Sequence, residues 1–138
     1  MLISNGVDRR KISRILVYLI FFIFITHFVA TKLYWYSAIW WLDMLVHFLG
    51  GFWLGLVFLY FFPLQDKSFR SICKIFLPVF FIGIGWEVFE ILVNDVIAQN
   101  PFNFLDTLSD IFFDLSGGFC AILYILVPLE NQRTGNSK

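Results

Sequence analysis

Four long apolar runs, at positions 15–30, 38–62, 72–93 and 104–127, alternate with short stretches that hold most of the charge. No run keeps the period-two alternation of a membrane barrel strand. Each has about the 20 residues that a hydrocarbon core of roughly 30 Å requires. Only helices or a closed barrel can satisfy the backbone in lipid, so the pattern predicts four transmembrane helices. The predicted spans cover about 13–30, 38–62, 72–93 and 104–127, a single all-α domain over 1–138. Pro63 and Pro128 mark the expected ends of the second and fourth.

The connections set the orientation. Arg9, Arg10, Lys11 and Arg14 precede or open the first run, Lys67, Arg70 and Lys74 lie between the second and third, and Arg133 and Lys138 follow the fourth. The other two connections share only Lys32, and the segment 94–103, with Asp95 and Pro101, has no basic residue. The positive-inside rule then predicts that both termini are cytoplasmic. Basic residues before an apolar run also suit a signal peptide, but this run is long, contains His27 and ends Phe28-Val29-Ala30 without a small residue at the −3 position. An uncleaved first span is expected. Tyr34-Trp35-Tyr36 and Trp40-Trp41 suit a membrane–water interface.

Composition sharpens this picture. Of 138 residues 59% are hydrophobic and only 14% charged, which excludes a soluble domain of this size. No basic patch for nucleic acid exists, so membrane lipids are the expected partners, and a thin four-helix bundle is compatible with a homo-oligomer. Cys73 and Cys120 fit no zinc motif and read as packing residues.

Charge inside the runs is the informative departure. Asp106, Asp110 and Asp114 recur at every fourth position, close to one helix face. Asp43 and His47 are i, i+4, and Glu87 and Glu90 are i, i+3. With a rise of about 1.5 Å per residue, Asp43 and His47 lie roughly 7 and 13 Å from the outer surface, Glu90 and Glu87 roughly 5 and 9 Å. Asp106, Asp110 and Asp114 lie at roughly 3, 9 and 15 Å, and His27 at about 5 Å. Antiparallel helices thus bring their ionisable residues to one level in the outer half of the bilayer. Glycines continue these stripes: Gly50, Gly51 and Gly55, then Gly83 and Gly85, then Gly117 and Gly118. Small residues let transmembrane helices approach closely, and Gly51, Gly55, Gly83, Gly117 and Gly118 are the expected packing positions.

No lysine or arginine stands among these acids, so a bound cation, protonation or a water-filled cavity must compensate them. Oxygen ligands with one imidazole suit Mg, Mn, Zn or Fe. The expected ligands are Asp43, His47, Glu87, Glu90, Asp106 and Asp110, with Asp114 and His27 supporting them. Plainer roles compete: Asp106 as a helix-start acid, Asp114 bonded to Ser116 or the backbone, Glu90 and His27 as interface residues. Phe21, Phe22, Phe58, Phe61, Phe112 and Phe113 read as lipid-facing or packing residues. Ser109 and Ser116 would need His47 within reach to act as nucleophiles. No His-Glu-x-x-His pair, Gly-x-Ser-x-Gly elbow or phosphate-binding glycine loop occurs.

The order Asp43-x-x-x-His47-Phe48-x-x-Gly51, then Trp86-Glu87-x-x-Glu90, then Asp106-Thr107-x-x-Asp110 with a later glycine resembles the YjdF-type family of bacterial inner-membrane proteins. The resemblance covers about 41–118, three of the four predicted helices, and extends more distantly to VanZ-like proteins. It implies a multi-pass protein of the bacterial inner membrane with these acids at its site. It implies no particular activity, because the family's function is unknown. VanZ-like proteins are associated with glycopeptide resistance, which implies an envelope role. Three functions fit the residues: a metal-dependent hydrolase or transferase acting on an envelope lipid, a proton-coupled transporter or carrier subunit, and a lipid-binding or scaffold protein.

Overall fold

Apolar length decides the architecture, and the sequence supplies a reason for the end of the third helix and for the starts of the fourth and fifth. The computed structural model describes residues 9–64, 66, 68–93 and 102–135, with side chains through 126. Expectations that concern Lys67, Asp95, Pro101 and Lys138, and the side chain of Arg133, lie outside the described residues. The elements are α1 (Arg9–Lys32), α2 (Trp35–Ala38), α3 (Leu42–Phe61), α4 (Phe69–Val93) and α5 (Phe104–Gly135). Four of them are long and apolar enough to cross a membrane: Arg9–Lys32, Leu42–Phe61, Phe69–Val93 and Phe104–Leu126. The chain is an all-helical, multi-pass membrane protein.

Local chemistry accounts for the boundaries. Ser68 caps α4, its Oγ accepting the Ser71 N–H at 3.3 Å. Asp66 Oδ1 in turn accepts the Ser68 N–H at 3.0 Å and the Ser68 and Ser71 hydroxyls at 2.5 Å each. Those hydrogen bonds hold the Asp66 carboxyl down at about 2. Asn103 Oδ1 accepts the Asp106 N–H at 3.4 Å, which caps α5 and puts Asp106 in its first turn. α3 ends where Pro63 follows Phe62.

Two differences from the sequence pattern stand out. The segment 31–37, expected as a plain connection, contains part of the short helix α2, which Tyr34 introduces from the left-handed region at φ 57°. α5 continues through Pro128 to Gly135 instead of stopping. Proline removes one backbone donor and strains a turn, but its φ suits a helix, so it need not end one. Pro78 inside α4 makes the same point.

Packing is hierarchical. α3 and α5 share the most extensive contact, α4 lies chiefly on α5, and α1 joins through α3. α1 buries little: Ile12 and Ala30 alone are fully covered, and the Trp53 indole ties the helix to α3 by donating to the Leu16 carbonyl at 2.9 Å. Its exposed Phe21, Phe22, Phe24 and Phe28 suit a lipid surface. The bundle has two unlike ends. Ile12, Leu56, Leu59, Leu64, Ile75, Ala121, Ile122 and Ile125 form an apolar core toward the end that carries the arginines. Buried polar groups gather toward the other.

Candidate functional site

Helix approach makes the site possible. A Cβ on Gly51 would run into the backbone carbonyl oxygen of Asp114, and one on Gly117 into that of Phe48. On Gly55 it would stand 2.7 Å from the Ala121 Cβ, and on Gly83 2.8 Å from Asp114 Oδ2. Gly118 meets a Val79 methyl of α4 at 3.1 Å by the same measure. Close contact of α3 and α5 therefore sets Asp114 between Gly51 and Gly83, one side chain away from His47. Gly50 and Gly85 face open space and take no part.

His47 is the centre of the arrangement, only 5% exposed. Its Nε2 faces Asp43 Oδ1 at 3.9 Å, one turn earlier on α3. Its Nδ1 faces Asp114 Oδ1 of α5 at 3.5 Å and Glu87 Oε1 of α4 at 3.8 Å. Glu87, Asp110 and Asp114 are as buried as His47, while Asp43 and Glu90 are half-buried. Two carboxylate oxygens inside the cluster, Glu87 Oε1 and Asp110 Oδ1, have no hydrogen-bond partner among the described residues. A buried polar atom without a partner costs about 1–3 kcal/mol, more for a charged group, so such a pair calls for an explanation. Two sets of side chains could hold a metal ion: Asp43, His47 and Asp110, and His47, Glu87 and Glu90. In each set the donor atoms all lie within 4.8 Å of one another.

The remaining expected residues divide. Asp106 is exposed at the helix start and belongs to neither set. His27 is exposed and hydrogen-bonded through Nδ1 to the Tyr36 hydroxyl at 2.7 Å. Tyr36 was not singled out by the sequence, where it is one of several interface aromatics. Burial, and then the negative Asp43 and Glu90, push its phenol up to about 12, so it stays protonated beside those acids. No local signal marks it; the turn at Tyr34 brings it back against α1. Ser116 does not bond Asp114: its hydroxyl donates to the Phe112 carbonyl at 2.8 Å. Among the described residues no contact joins His47 to Ser109 or Ser116. Cys73 and Cys120 are free thiols, both half-buried.

Chemically, the site offers one imidazole and several carboxylates from three helices, with no ammonium or guanidinium among them. Neither the curated proteins nor the solved structures contain a match to the chain. The family comparison gives a match over nearly the whole length, at residues 2–131. The chain therefore belongs to the DUF2238 family of predicted membrane proteins.

Proposed function

We propose that the protein is a divalent-cation-dependent membrane enzyme that hydrolyses, or transfers a group on, an envelope lipid at the outer face of the bacterial inner membrane. The observation that carries this reading is the pair of buried, unpartnered oxygens on Glu87 and Asp110, beside a histidine that acids from three helices surround. A tetrahedral ion with ligand bonds near 2.1 Å spaces its ligands by roughly 3.4 Å. The 3.9 Å between His47 Nε2 and Asp43 Oδ1 needs only a small contraction to reach that spacing.

The two candidate sets compete for one imidazole. Asp114, nearest to Nδ1, favours the proton there and leaves the Nε2 lone pair for the ion. Asp43, His47 and Asp110 then form the ligand set, and Zn, Mn, Mg or Fe all suit it. A bound cation would supply an activated water and polarise a phosphoryl or acyl oxygen. Glu87, buried beside the ring but outside that set, would serve as the proton acceptor there. Glu90 and Asp106 line the way outward, with His27 and Tyr36 at the rim. The motif order also supports grouping the chain with YjdF-type proteins and, more remotely, VanZ-like ones.

Metal analysis tests the reading. Protein purified from metal-replete cells is expected to carry near-stoichiometric Zn, Mn or Fe, or to bind one on addition. His47→Ala and Asp110→Asn should each abolish that binding. Folded protein that neither retains nor binds a cation would sink the proposal. A second reading, a proton relay, draws on the His27–Tyr36 hydrogen bond next to Asp43 and Glu90. Metal-free protein whose carboxylates change protonation in infrared difference spectra favours that reading instead.

A further inference from the structure

The opposite end of the bundle holds a second polar feature that owes nothing to the acids. Arg9, Arg10, Ser13 and Arg14 of α1 and Tyr60 near the end of α3 line a cavity of about 540 Å³. Among the described residues, no carboxylate lines it. The guanidinium carbon of Arg9 lies 5.7 Å from the centre of the Tyr60 ring, and Arg14 Nε donates to the Arg10 carbonyl at 3.4 Å. Two arginines are thereby held over one hollow by contacts with their surroundings. Lys11 turns elsewhere, to within 5.9 Å of the Tyr124 ring of α5.

Position along the helix identifies the ligand. Arg9, Arg10 and Arg14 precede the apolar run that begins at Ile15, so the cavity sits at the boundary where phospholipid headgroups lie. Guanidinium forks match phosphate oxygens in pairs, and the Ser13 hydroxyl adds a donor. Tyr60, with Arg9 on its face, offers its body to the glycerol region. We propose that this cavity binds the phosphate of an anionic phospholipid from the leaflet at the basic end of the bundle.

Native mass spectrometry of protein released from vesicles of phosphatidylcholine with phosphatidylglycerol tests this. Phosphatidylglycerol is expected to be retained over phosphatidylcholine, less so as salt rises. Removing one arginine should weaken retention about five-fold, which corresponds to about 1 kcal/mol per basic residue at a membrane surface. Arg9→Gln and Arg14→Gln are the direct variants, with Lys32→Gln at the far end as the unchanged control. The joint Arg9→Lys and Arg14→Lys variant keeps the charge that orients the span, so reduced retention there reports the guanidinium fork and not misinsertion. Equal retention of both lipids overturns the proposal, as does retention that ignores the arginine changes. Complete displacement by millimolar inorganic phosphate would assign the cavity to a soluble phosphate and overturn the lipid source.

Discussion

At His47 the two ring nitrogens meet different partners, and that asymmetry decides what the residue can do. Nδ1 has Asp114 at 3.5 Å and Glu87 at 3.8 Å, whereas Nε2 has Asp43 at 3.9 Å. A carboxylate that accepts from one nitrogen fixes the tautomer and makes the other a better ligand. Asp114→Asn keeps the shape and an acceptor oxygen but loses the charge. It is expected to lower Zn affinity about 10–100-fold by calorimetric titration without unfolding the protein. An unchanged affinity would assign the Nδ1 proton to Glu87. Asp43, His47, Glu87 and Asp110 were legible in the sequence because ionisable groups are costly in lipid and stand out there. The limits of that reading are equally physical. A step of four residues rotates a helix by roughly 40°, so Asp106 and Asp114 differ by roughly 80° around α5. Depth follows from counting residues; rotation about the axis does not, and Asp106 stands exposed in the first turn of α5. Tyr36 reaches its place through a turn at Tyr34 that no periodicity announces.

At the scale of the helix pair, the glycines of α3 and α5 control how near His47 comes to Asp114. The small-residue spacing of Gly51 and Gly55 was readable, and Gly50 and Gly85, on the same stretches, were not among the expected packing positions. Contact separates them. Gly51→Ala drives a methyl into the Asp114 backbone, so the helices must part, at an overpacking cost of about 1–3 kcal/mol. Gly50→Ala meets nothing within 4 Å and gains up to about 1 kcal/mol of helix propensity. Unfolding by sodium dodecyl sulfate in mixed micelles should therefore rank the variants Gly50→Ala at or above the parent and Gly51→Ala well below it. Gly51→Ala should also weaken metal binding, because separation of α3 from α5 pulls His47 away from Asp114. If both alanines behave alike, close approach of these helices is not what builds the site.

For the whole molecule, the polarity of the bundle joins its parts. The buried acids occupy one end and the arginines the other, with an apolar core nearer the arginines. Helix existence and order were legible from apolar length alone, since lipid leaves the backbone few alternatives. Which helices touch was not legible, because lipid-facing and core-facing phenylalanines look alike in a sequence. On the topology that the positive-inside rule predicts, both termini and the basic residues Arg9, Arg70 and Lys74 face the cytoplasm. On that topology the acids would open outward, where the proposed envelope lipid would reach them without crossing the membrane. Cysteine labelling checks this, once Cys73 and Cys120 have been replaced by serine. Ser37→Cys, exposed near the acidic end, should react with an impermeant maleimide in intact cells. Ser68→Cys, exposed in the basic connection, should react only after permeabilisation. The reverse pattern would turn the site toward the cytoplasm, and its substrate would then have to be a lipid of the inner leaflet or a cytosolic molecule.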